Sequence, residues 1–235
     1  MSIRIDSLLV RRSQKTIVDV PHLELDQRPT LVLGVNSAGK STLFSVVSGK
    51  ITPTRGIVQT NENVAHVEQK FRPVVGFTAL EYCAYVSWLG GKNKAQAKAE
   101  AYSWLEFVDL SRAAQQKCET LSGGEQARLA IGTALNSGAH TLLLDEPSAS
   151  LDPMSKERIH TVYQRIVDSE RNLVVSTHDT GDLHDPFERV VVFDNGQVHF
   201  DGTRAAFINL ASEEHSSPAH ELSRSFMRRR QAYEA

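Results

Sequence analysis

Residues 34–41, which are Gly-Val-Asn-Ser-Ala-Gly-Lys-Ser, decide what kind of fold this chain can adopt. They match the pattern G-x-x-x-x-G-K-[ST] at every fixed position. The apolar stretch 30–33 before them is typical of a buried strand, and the stretch after them has helical spacing of apolar residues up to Gly49. A loop that opens a helix presents backbone N–H groups and the positive end of the helix dipole. This order predicts a site for the phosphates of a nucleoside triphosphate.

The residues of this loop have different predicted tasks. Gly34 and Gly39 let the backbone bend around phosphate oxygens without a Cβ in the way. Lys40 is expected to reach the β- and γ-phosphates, and the Ser41 hydroxyl is expected to ligate Mg²⁺. The remaining positions predicted to bind the nucleotide are Asn36, Ser37, Ala38 and Thr42.

A pair of acids ends the apolar stretch TLLLDEP, residues 141–147. Three consecutive leucines favour a central strand that is buried on both faces. Acids at its carboxyl end would lie where open α/β sheets bind ligands. We expect Asp145 to hold Mg²⁺ through water and Glu146 to polarise the water that attacks the γ-phosphate. The alternative is a solvated Asp-Glu pair, which the presence of the phosphate loop disfavours.

Residues 121–126, LSGGEQ, precede another stretch with helical spacing. Ser122 is predicted to cap this helix, and Gly123 and Gly124 leave its first N–H groups accessible, which makes a second anion site. One triphosphate does not need two such sites on one chain, whereas a nucleotide shared by two chains does. A capped helix with a flexible start is the alternative interpretation.

LSGGEQ resembles the signature of the ATP-binding cassette (ABC) family, and other family elements follow in order over about residues 3 to 205. Gln69 resembles the glutamine that links the nucleotide and metal site to a helical subdomain. Asp152 belongs to a segment that resembles the loop crossing the dimer interface. His178 resembles the switch histidine that contacts the γ-phosphate. The resemblance therefore implies catalytic roles for Glu146, His178 and Gln69, nucleotide binding by Asp152, and Mg²⁺ ligation by Ser41, Gln69 and Asp145.

The resemblance also implies the fold and the assembly. The expected fold is α/β, a P-loop NTPase core with a mixed sheet, an N-terminal antiparallel β flap and an inserted α-helical subdomain at about residues 73–128. This ATPase domain would cover residues 1–211, followed by a polar and basic tail at 212–235. Two copies would pair head to tail, so that each phosphate loop faces the partner copy's signature and two ATP molecules are closed into the interface.

The segment 78–86 and the compact single cassette resemble bacterial export-type ATPases. This likeness implies an ATPase subunit that forms a homodimer, binds ATP and Mg²⁺, and drives a separate integral membrane permease from the cytosolic face. A soluble ABC ATPase of the iron–sulfur cluster assembly type is the alternative. LSGGEQ disfavours a P-loop enzyme outside the family, such as a kinase.

The composition narrows the partners further. The formal net charge of −2 provides no field that would attract nucleic acid. Cys83 and Cys118 lack the CxxC spacing of a zinc site, and their number does not suggest a disulfide framework.

No apolar run approaches the ~20 residues that span a bilayer, and the amino terminus lacks the apolar core of a signal peptide. We therefore expect membrane contact through a partner; the basic run Arg228–Arg230 could touch anionic lipid or be a solvated terminus.

Two positions depart from the family pattern. The family usually has an aromatic residue near positions 11 to 13 to stack on adenine, whereas this chain has Arg11-Arg12-Ser13. An arginine can stack on a base by a cation–π contact. Ser37 replaces a glycine that is frequent in the phosphate loop.

Periodicity predicts the remaining elements. Alternation over residues 3–25 indicates short antiparallel strands, and Gly90-Gly91 separates two helices, the first with apolar positions at Tyr82, Tyr85, Val86 and Leu89. Asp194-Asn195-Gly196 between two apolar runs predicts a hairpin.

Overall fold

The structure, a computed structural model, describes residues 3–212, which divide into two compact units. The first unit holds the described residues up to Asn61 together with those from Asn172 onward, and the second runs from Glu62 to Arg171. Each unit is described separately below.

The chain begins in the first unit with β1 (Ile3–Arg12), β2 (Lys15–Leu25), β3 (Thr30–Leu33), α1 (Lys40–Val47) and β4 (Arg55–Gln59). The second unit consists of β5 (Val64–Val67), α2 (Ala79–Leu89), α3 (Lys94–Phe107), α4 (Gly123–Asn136), β6 (Thr141–Asp145) and α5 (Pro153–Asp168). The chain then returns to the first unit with β7 (Asn172–Thr177), β8 (Arg189–Asp194), β9 (Gln197–Thr203) and α6 (Arg204–Ser212). Single 3₁₀ turns occur at Ser111–Ala113, Cys118–Thr120 and Thr180–Asp182.

An antiparallel sheet with the order β2-β1-β4 opens the first unit. Apolar side chains alternate along β1, and the set that includes Ile3, Ile5, Leu8 and Val10 is buried. The predicted antiparallel flap is confirmed, but its strands are long, with 10 residues in β1 and 11 in β2. The sequence did not predict β4, because only Ile57 and Val58 break its polar character and neither is fully buried.

The second sheet region of the first unit has the order β7-β3-β8-β9. β3 is parallel to both β7 and β8, whereas β9 runs antiparallel to β8. Asn195 (φ 47) and Gly196 (φ 80) form the two-residue turn between β8 and β9, as the predicted hairpin requires. Because β3 and β7 are parallel, the loops after both strands leave the sheet at the same edge.

Helices dominate the second unit, which also contains the parallel strand pair β5–β6. Helix α4 contacts both α2 and α3. Its Gly132 allows close approach, since a Cβ there would lie 3.1 Å from Val108 Cγ2. The Asn136 amide donates a 3.0 Å hydrogen bond to the Cys83 carbonyl. Burial raises the pKa of the Cys83 thiol to about 11, so this cysteine is an unreactive core residue.

The buried face of α2 differs from the one that large apolar residues suggest. The buried residues of the helix are Ala79, Leu80, Cys83 and Ser87, and of these only Leu80 is large. Trp88 is 52% exposed and Leu89 61% exposed. The two bulky residues at the C-terminal end of the helix therefore lie outside the core of its own unit.

The α/β fold class with a mixed sheet, an antiparallel flap and a helical insertion is confirmed. Among the described residues, no helix has both the length and the apolar character that crossing a bilayer requires. The predicted polar and basic tail lies, beyond Ser212, outside the described residues.

Candidate functional site

The phosphate loop lies between β3 and α1, as predicted. The Lys40 ammonium donates hydrogen bonds to the Gly34 carbonyl at 2.7 Å and the Val35 carbonyl at 3.1 Å. The Lys40 side chain thus folds over the turn, and the residue is only 4% exposed. The loop thus keeps a cation next to the N-terminal end of α1, which suits a polyanion.

Both fixed glycines of the loop are required by close packing. A Cβ on Gly34 would lie 2.2 Å from the Phe193 carbonyl oxygen, and one on Gly39 would lie 2.9 Å from the Ile17 carbonyl oxygen. Gly39 also has φ 107, which side chains disfavour. The loop is therefore clamped between β2 and β8.

Ser37 adopts φ 68, in the left-handed region. This conformation costs a residue with a Cβ about 1–2 kcal/mol, which gives a physical reason why glycine is frequent here. The chain keeps serine and bears this strain at the predicted nucleotide site, next to Asn36 and Ala38.

The first turn of α1 contains Ser41 and Thr42. The preceding Gly39 has no side chain to cap the helix, so the first N–H groups of α1 are not satisfied by a side-chain cap. An anion at this helix start would meet both these donors and the helix dipole. Ser41 is exposed, as a hydroxyl that ligates a metal must be.

The loop after β7 holds His178 near the start of the phosphate loop. Gly34 N–H donates a 3.0 Å hydrogen bond to the carbonyl of Thr177, the residue before His178. The Thr177 hydroxyl donates to Asp182 Oδ2 at 2.6 Å and accepts from Asp179 N–H at 3.0 Å. These contacts fix the backbone on both sides of the histidine. The first unit thus brings together two predicted elements of the site.

In the second unit, the two predicted acids follow the buried strand β6. Asp145 is 4% exposed and Glu146 is 9% exposed. Glu146 has φ 48, a left-handed conformation that costs a non-glycine residue about 1–2 kcal/mol. Strain of this kind clusters at functional sites, where surrounding contacts hold it.

Gln69 and Glu146 lie next to each other, although 77 residues separate them. The Gln69 amide nitrogen donates to Glu146 Oε2 at 3.4 Å. Both residues line a cavity of about 400 Å³, together with Gly123, Pro147 and Leu151. The second unit therefore gathers the predicted glutamine, the predicted base and the signature around one cavity.

Ser122 caps α4, which confirms the predicted cap. Its backbone N–H and its hydroxyl each donate a 2.9 Å hydrogen bond to Glu125 Oε2. Glu125 was not among the predicted residues, although the spacing S-x-x-E is the sequence sign of a reciprocal capping box. The exposed hydroxyl of Ser122 is thus oriented by a carboxylate three residues away.

Gly124 and Gly123 differ in the space around them. A Cβ on Gly124 would lie 2.8 Å from Ser155 Oγ and 2.9 Å from Ser155 Cβ, whereas one on Gly123 meets only Leu151 Cδ2, at 3.4 Å. We expect Gly124→Ala to lower the free energy of unfolding by about 1–3 kcal/mol, because Ser155 in α5 must shift to make room for the added Cβ. Gly123→Ala, the matched control, is expected to change it by less than about 1 kcal/mol. Urea denaturation of both variants measures this difference, and equal effects would contradict it.

Asp152 caps α5. Its carboxylate accepts hydrogen bonds from Ser155 N–H at 3.0 Å and from Ser155 Oγ at 2.6 Å. The hydrogen bond from the Ser155 hydroxyl contributes most, and the one from the Ser155 N–H adds to it, so that the pKa of Asp152 lies below its usual value. Asp152 therefore orders the helix start beside Gly124, in addition to any role at an interface.

The phosphate loop between a parallel strand and a helix defines the class of P-loop nucleoside triphosphatases. A family model described as ABC transporter matches residues 22–149, more than half of the chain. The chain belongs to this family, and it is an ATPase.

Several curated relatives are named as ATP-binding proteins, two of them for import and one for resistance. The chain is 33% identical over 198 residues to the phosphonates import ATP-binding protein of Thiobacillus denitrificans, covering 75% of this chain and 76% of the relative. It is 31% identical over 233 residues to the hemin import ATP-binding protein of Pseudomonas aeruginosa, covering 86% of each. It is 28% identical to a linearmycin resistance ATP-binding protein of Bacillus subtilis, covering 81% of this chain and 66% of that one.

Solved structures share the fold. An ATP-binding cassette of an ABC transporter aligns with a TM-score of 0.79 at 21% identity, covering 90% of this chain and 95% of the other. A dimeric cassette in a post-hydrolysis state, bound to ADP and Pi, aligns with a TM-score of 0.75 at 22% identity, covering 86% and 98%.

Proposed function

We propose that this chain is the ATP-hydrolysing subunit of a membrane transporter, which acts as a head-to-tail pair and drives a separate permease. The observation that carries this proposal is the pairing of a family-type nucleotide site with an exposed aromatic groove on the second unit. The first supplies energy, and the second gives a partner a place to bind.

The proposed nucleotide contacts follow from the loop geometry. The backbone of residues 34–42 and the Lys40 ammonium would bind the phosphates, as described above. Mg²⁺ would be held by the Ser41 hydroxyl, the Gln69 amide oxygen and the Asp145 carboxylate, all oxygen donors of the kind this ion prefers. Within residues 3–212 there is no cluster of three or more His, Cys, Asp or Glu that could hold a metal alone. This donor set fits an ion that shares its ligands with substrate phosphates; when bound, Mg²⁺ neutralises phosphate charge.

The proposed catalytic group is Glu146. Its burial at the carboxyl end of β6 and its contact with Gln69 support a carboxylate that is held in one orientation. Glu146 would accept the proton of the attacking water as the bond to the γ-phosphate breaks. We assign the γ-phosphate contact to His178 and the link to the helical subdomain at about 73–128 to Gln69.

The proposed dimer uses the helix start at Ser122, Gly123 and Gly124, of which the first two are exposed. These groups have no triphosphate of their own to bind if each chain carries one phosphate loop. A second copy supplies it, so that ATP joins two chains, and hydrolysis weakens the contact because the γ-phosphate leaves. Asp152, at the start of α5, would lie at the same interface.

A groove of about 580 Å³ in the second unit supports the permease as partner. Phe77, Tyr85 and Trp88 line it. The ring centroids of Phe77 and Tyr85 lie 5.4 Å apart, and those of Tyr85 and Trp88 lie 5.9 Å apart. Two lysines, Lys94 and Lys98, and one acid, Glu81, line the groove as well, so its charged lining is net positive. An apolar surface with cationic residues fits an amphipathic segment that carries an acid. The permease would hold this ATPase at the cytosolic face of the membrane.

The direction of transport remains a prediction. The segment 78–86 favours export, whereas two of the relatives above are named for import. The transporter names favour transport over soluble iron–sulfur cluster assembly.

The test is fractionation of the native host with the tagged chain at native level. We expect the chain in the membrane fraction, released by detergent in a complex with an integral membrane protein. The Trp88→Ser variant should appear in the soluble fraction and should still bind ATP like the parent. Tyr102→Ser, which alters an exposed ring outside the groove, should behave like the parent. A parent chain found only as a soluble ATPase would refute the transport proposal in favour of the soluble class.

A further inference from the structure

His178 lies inside a turn whose two ends are joined by one hydroxyl group. Thr177 precedes the histidine, and its Oγ1 accepts a 3.0 Å hydrogen bond from the N–H of Asp179, the residue that follows it. This is the i to i+2 bond with which a threonine closes a turn on its own backbone. The backbone of His178 is therefore held on both sides by the same oxygen atom.

Asp182 determines which way the Thr177 hydroxyl points. A hydroxyl has one proton to donate and two lone pairs with which to accept. The Thr177 hydroxyl donates its proton to Asp182 Oδ2 at 2.6 Å, which leaves a lone pair for the N–H of Asp179. Without the Asp182 carboxylate the hydroxyl would be free to rotate, and the bond across the histidine would lose its fixed direction.

Asp182 is itself held by a 3₁₀ turn. Residues Thr180–Asp182 form this turn, and Asp179 caps it, since its carboxylate accepts a 2.9 Å hydrogen bond from the N–H of Gly181. The N–H of Asp182 donates to the Asp179 carbonyl at 3.3 Å. The hydrogen bonds thus run in a closed circuit from Thr177 to Asp182, on to Asp179 and back to Thr177. A satisfied network of this kind rigidifies each of its members.

The circuit is attached to the phosphate loop through the backbone. Thr177 pairs with Leu33 where strands β7 and β3 end, and its carbonyl accepts a 3.0 Å hydrogen bond from the N–H of Gly34. Gly34 is the first residue of the phosphate loop. His178 is therefore one residue away from a direct backbone contact with the loop that would bind the triphosphate.

The burial of the circuit argues for a role beyond stability. Thr177 and Asp182 are each 2% exposed. Burying a carboxylate is costly even when it is hydrogen-bonded, and an apolar pair of similar volume often stabilises a fold equally well. A satisfied buried polar pair adds a single defined geometry. His178, by contrast, is half-buried, so its side chain can meet a ligand.

We propose that Thr177 and Asp182 are positioning residues for His178, and that they support ATP hydrolysis by holding the imidazole where it contacts the γ-phosphate. This inference rests on the proposed contact between His178 and the γ-phosphate, and it adds two residues that act without touching the nucleotide. Loss of the circuit leaves ATP bound to the phosphate loop but displaces the histidine. A displacement of about 1 Å can lower a catalytic rate by about 100-fold.

The test compares the rate of ATP hydrolysis, with the full chain in excess over ATP, with the affinity for ATP in EDTA. Thr177→Val keeps the shape of the side chain but removes the hydroxyl, and we expect the rate to fall by about 10- to 100-fold while ATP affinity stays near the parental value. Thr177→Ser keeps the hydroxyl and should hydrolyse ATP near the parental rate. Asp182→Ala, which removes the acceptor of the hydroxyl proton, should lower the rate like Thr177→Val.

A double-mutant cycle with His178→Ala distinguishes positioning from a general loss of structure. If Thr177 acts through the histidine, adding Thr177→Val to His178→Ala should lower the rate by less than about twofold, because the group to be positioned is already gone. A merely structural role would lower the rate by the same factor whether or not His178 is present.

Thr141→Val is the matched control. The Thr141 hydroxyl also donates to a carboxylate at 2.6 Å, that of Glu62, and Thr141 is 1% exposed, but it lies at the amino end of β6. This variant should hydrolyse ATP near the parental rate. Melting temperatures show whether each variant folds.

The outcomes separate this inference from the function on which it rests. The proposal would be overturned by a parental rate in Thr177→Val, by an equal loss in Thr141→Val, or by the same fall in rate with and without His178. Each of these results would leave the role of His178 intact. A parental rate in His178→Ala would instead refute the proposed γ-phosphate contact, and the positioning role with it.

Discussion

Replacing Glu146 by glutamine is expected to slow ATP hydrolysis by about 10²–10⁴, the usual contribution of a general base, while ATP still binds. Glutamine has nearly the same shape and can still contact the Gln69 amide, but it cannot accept a proton from water. A phosphate-release assay measures turnover, and equilibrium binding of ATP measures affinity. We expect the turnover rate to fall while the affinity for ATP stays near the parental value.

The same variant tests the proposed dimer. If ATP joins two chains and hydrolysis releases them, Glu146→Gln should elute as a dimer in the presence of Mg-ATP on size exclusion. Glu157→Gln makes the same chemical change on the exposed surface of α5 and should hydrolyse ATP like the parent. Turnover of Glu146→Gln near the parental rate would show that another group activates the water.

Replacing Lys40 by alanine is expected to weaken ATP binding by about 10- to 100-fold. Hydrogen bonds to charged groups contribute about 1.5–3 kcal/mol, and the ammonium of Lys40 lies where the phosphates would bind. Isothermal titration with ATP in EDTA measures the loss without interference from hydrolysis.

Lys50→Ala serves as the control for this loss of charge, because Lys50 is exposed and lies beyond the C-terminal end of α1. It should bind ATP like the parent. Unchanged ATP affinity in Lys40→Ala would mean that the backbone of the loop alone holds the phosphates, with the lysine serving only to close the turn through Gly34 and Val35.

Motifs with fixed spacing predicted the fold well. The order of strand, glycine loop and helix at residues 30–49 correctly predicted β3 and α1, and the stretch TLLLD correctly predicted the buried strand β6. These segments are unambiguous because their periodicity, length and flanking glycines agree.

The buried faces of helices were harder to predict. In α2, small residues such as Ala79 and Cys83 face the core, and the bulky Trp88 and Leu89 do not. A single sequence shows that a helix has apolar positions, but it does not show which of them a partner covers. Strand β4 was missed for a related reason, because its pairing with β1 depends on a strand more than 40 residues away.

The candidate site was predicted residue by residue, but the reasons for several identities emerged only from the structure. Gly124 is crowded by Ser155, a packing constraint that the signature pattern alone does not reveal. The carboxylate of Glu125 orients Ser122 through hydrogen bonds that lie on one helical turn. The sequence alone does not show the contact between Gly124 and Ser155, because Ser155 lies 31 positions further along the chain and in a different helix.

The left-handed backbone at Glu146 has a consequence for how this chain tolerates mutation. Glycine would relax that conformation, so a chain that carries Glu146→Gly can be inactive and yet have a melting temperature no lower than the parent's. Loss of function at this position would then escape any screen that scores only folding or abundance. The proposed role of the Glu146 carboxylate would account for a side chain at a position that the local backbone disfavours, and Glu146→Gly is expected to free the backbone while it removes that carboxylate.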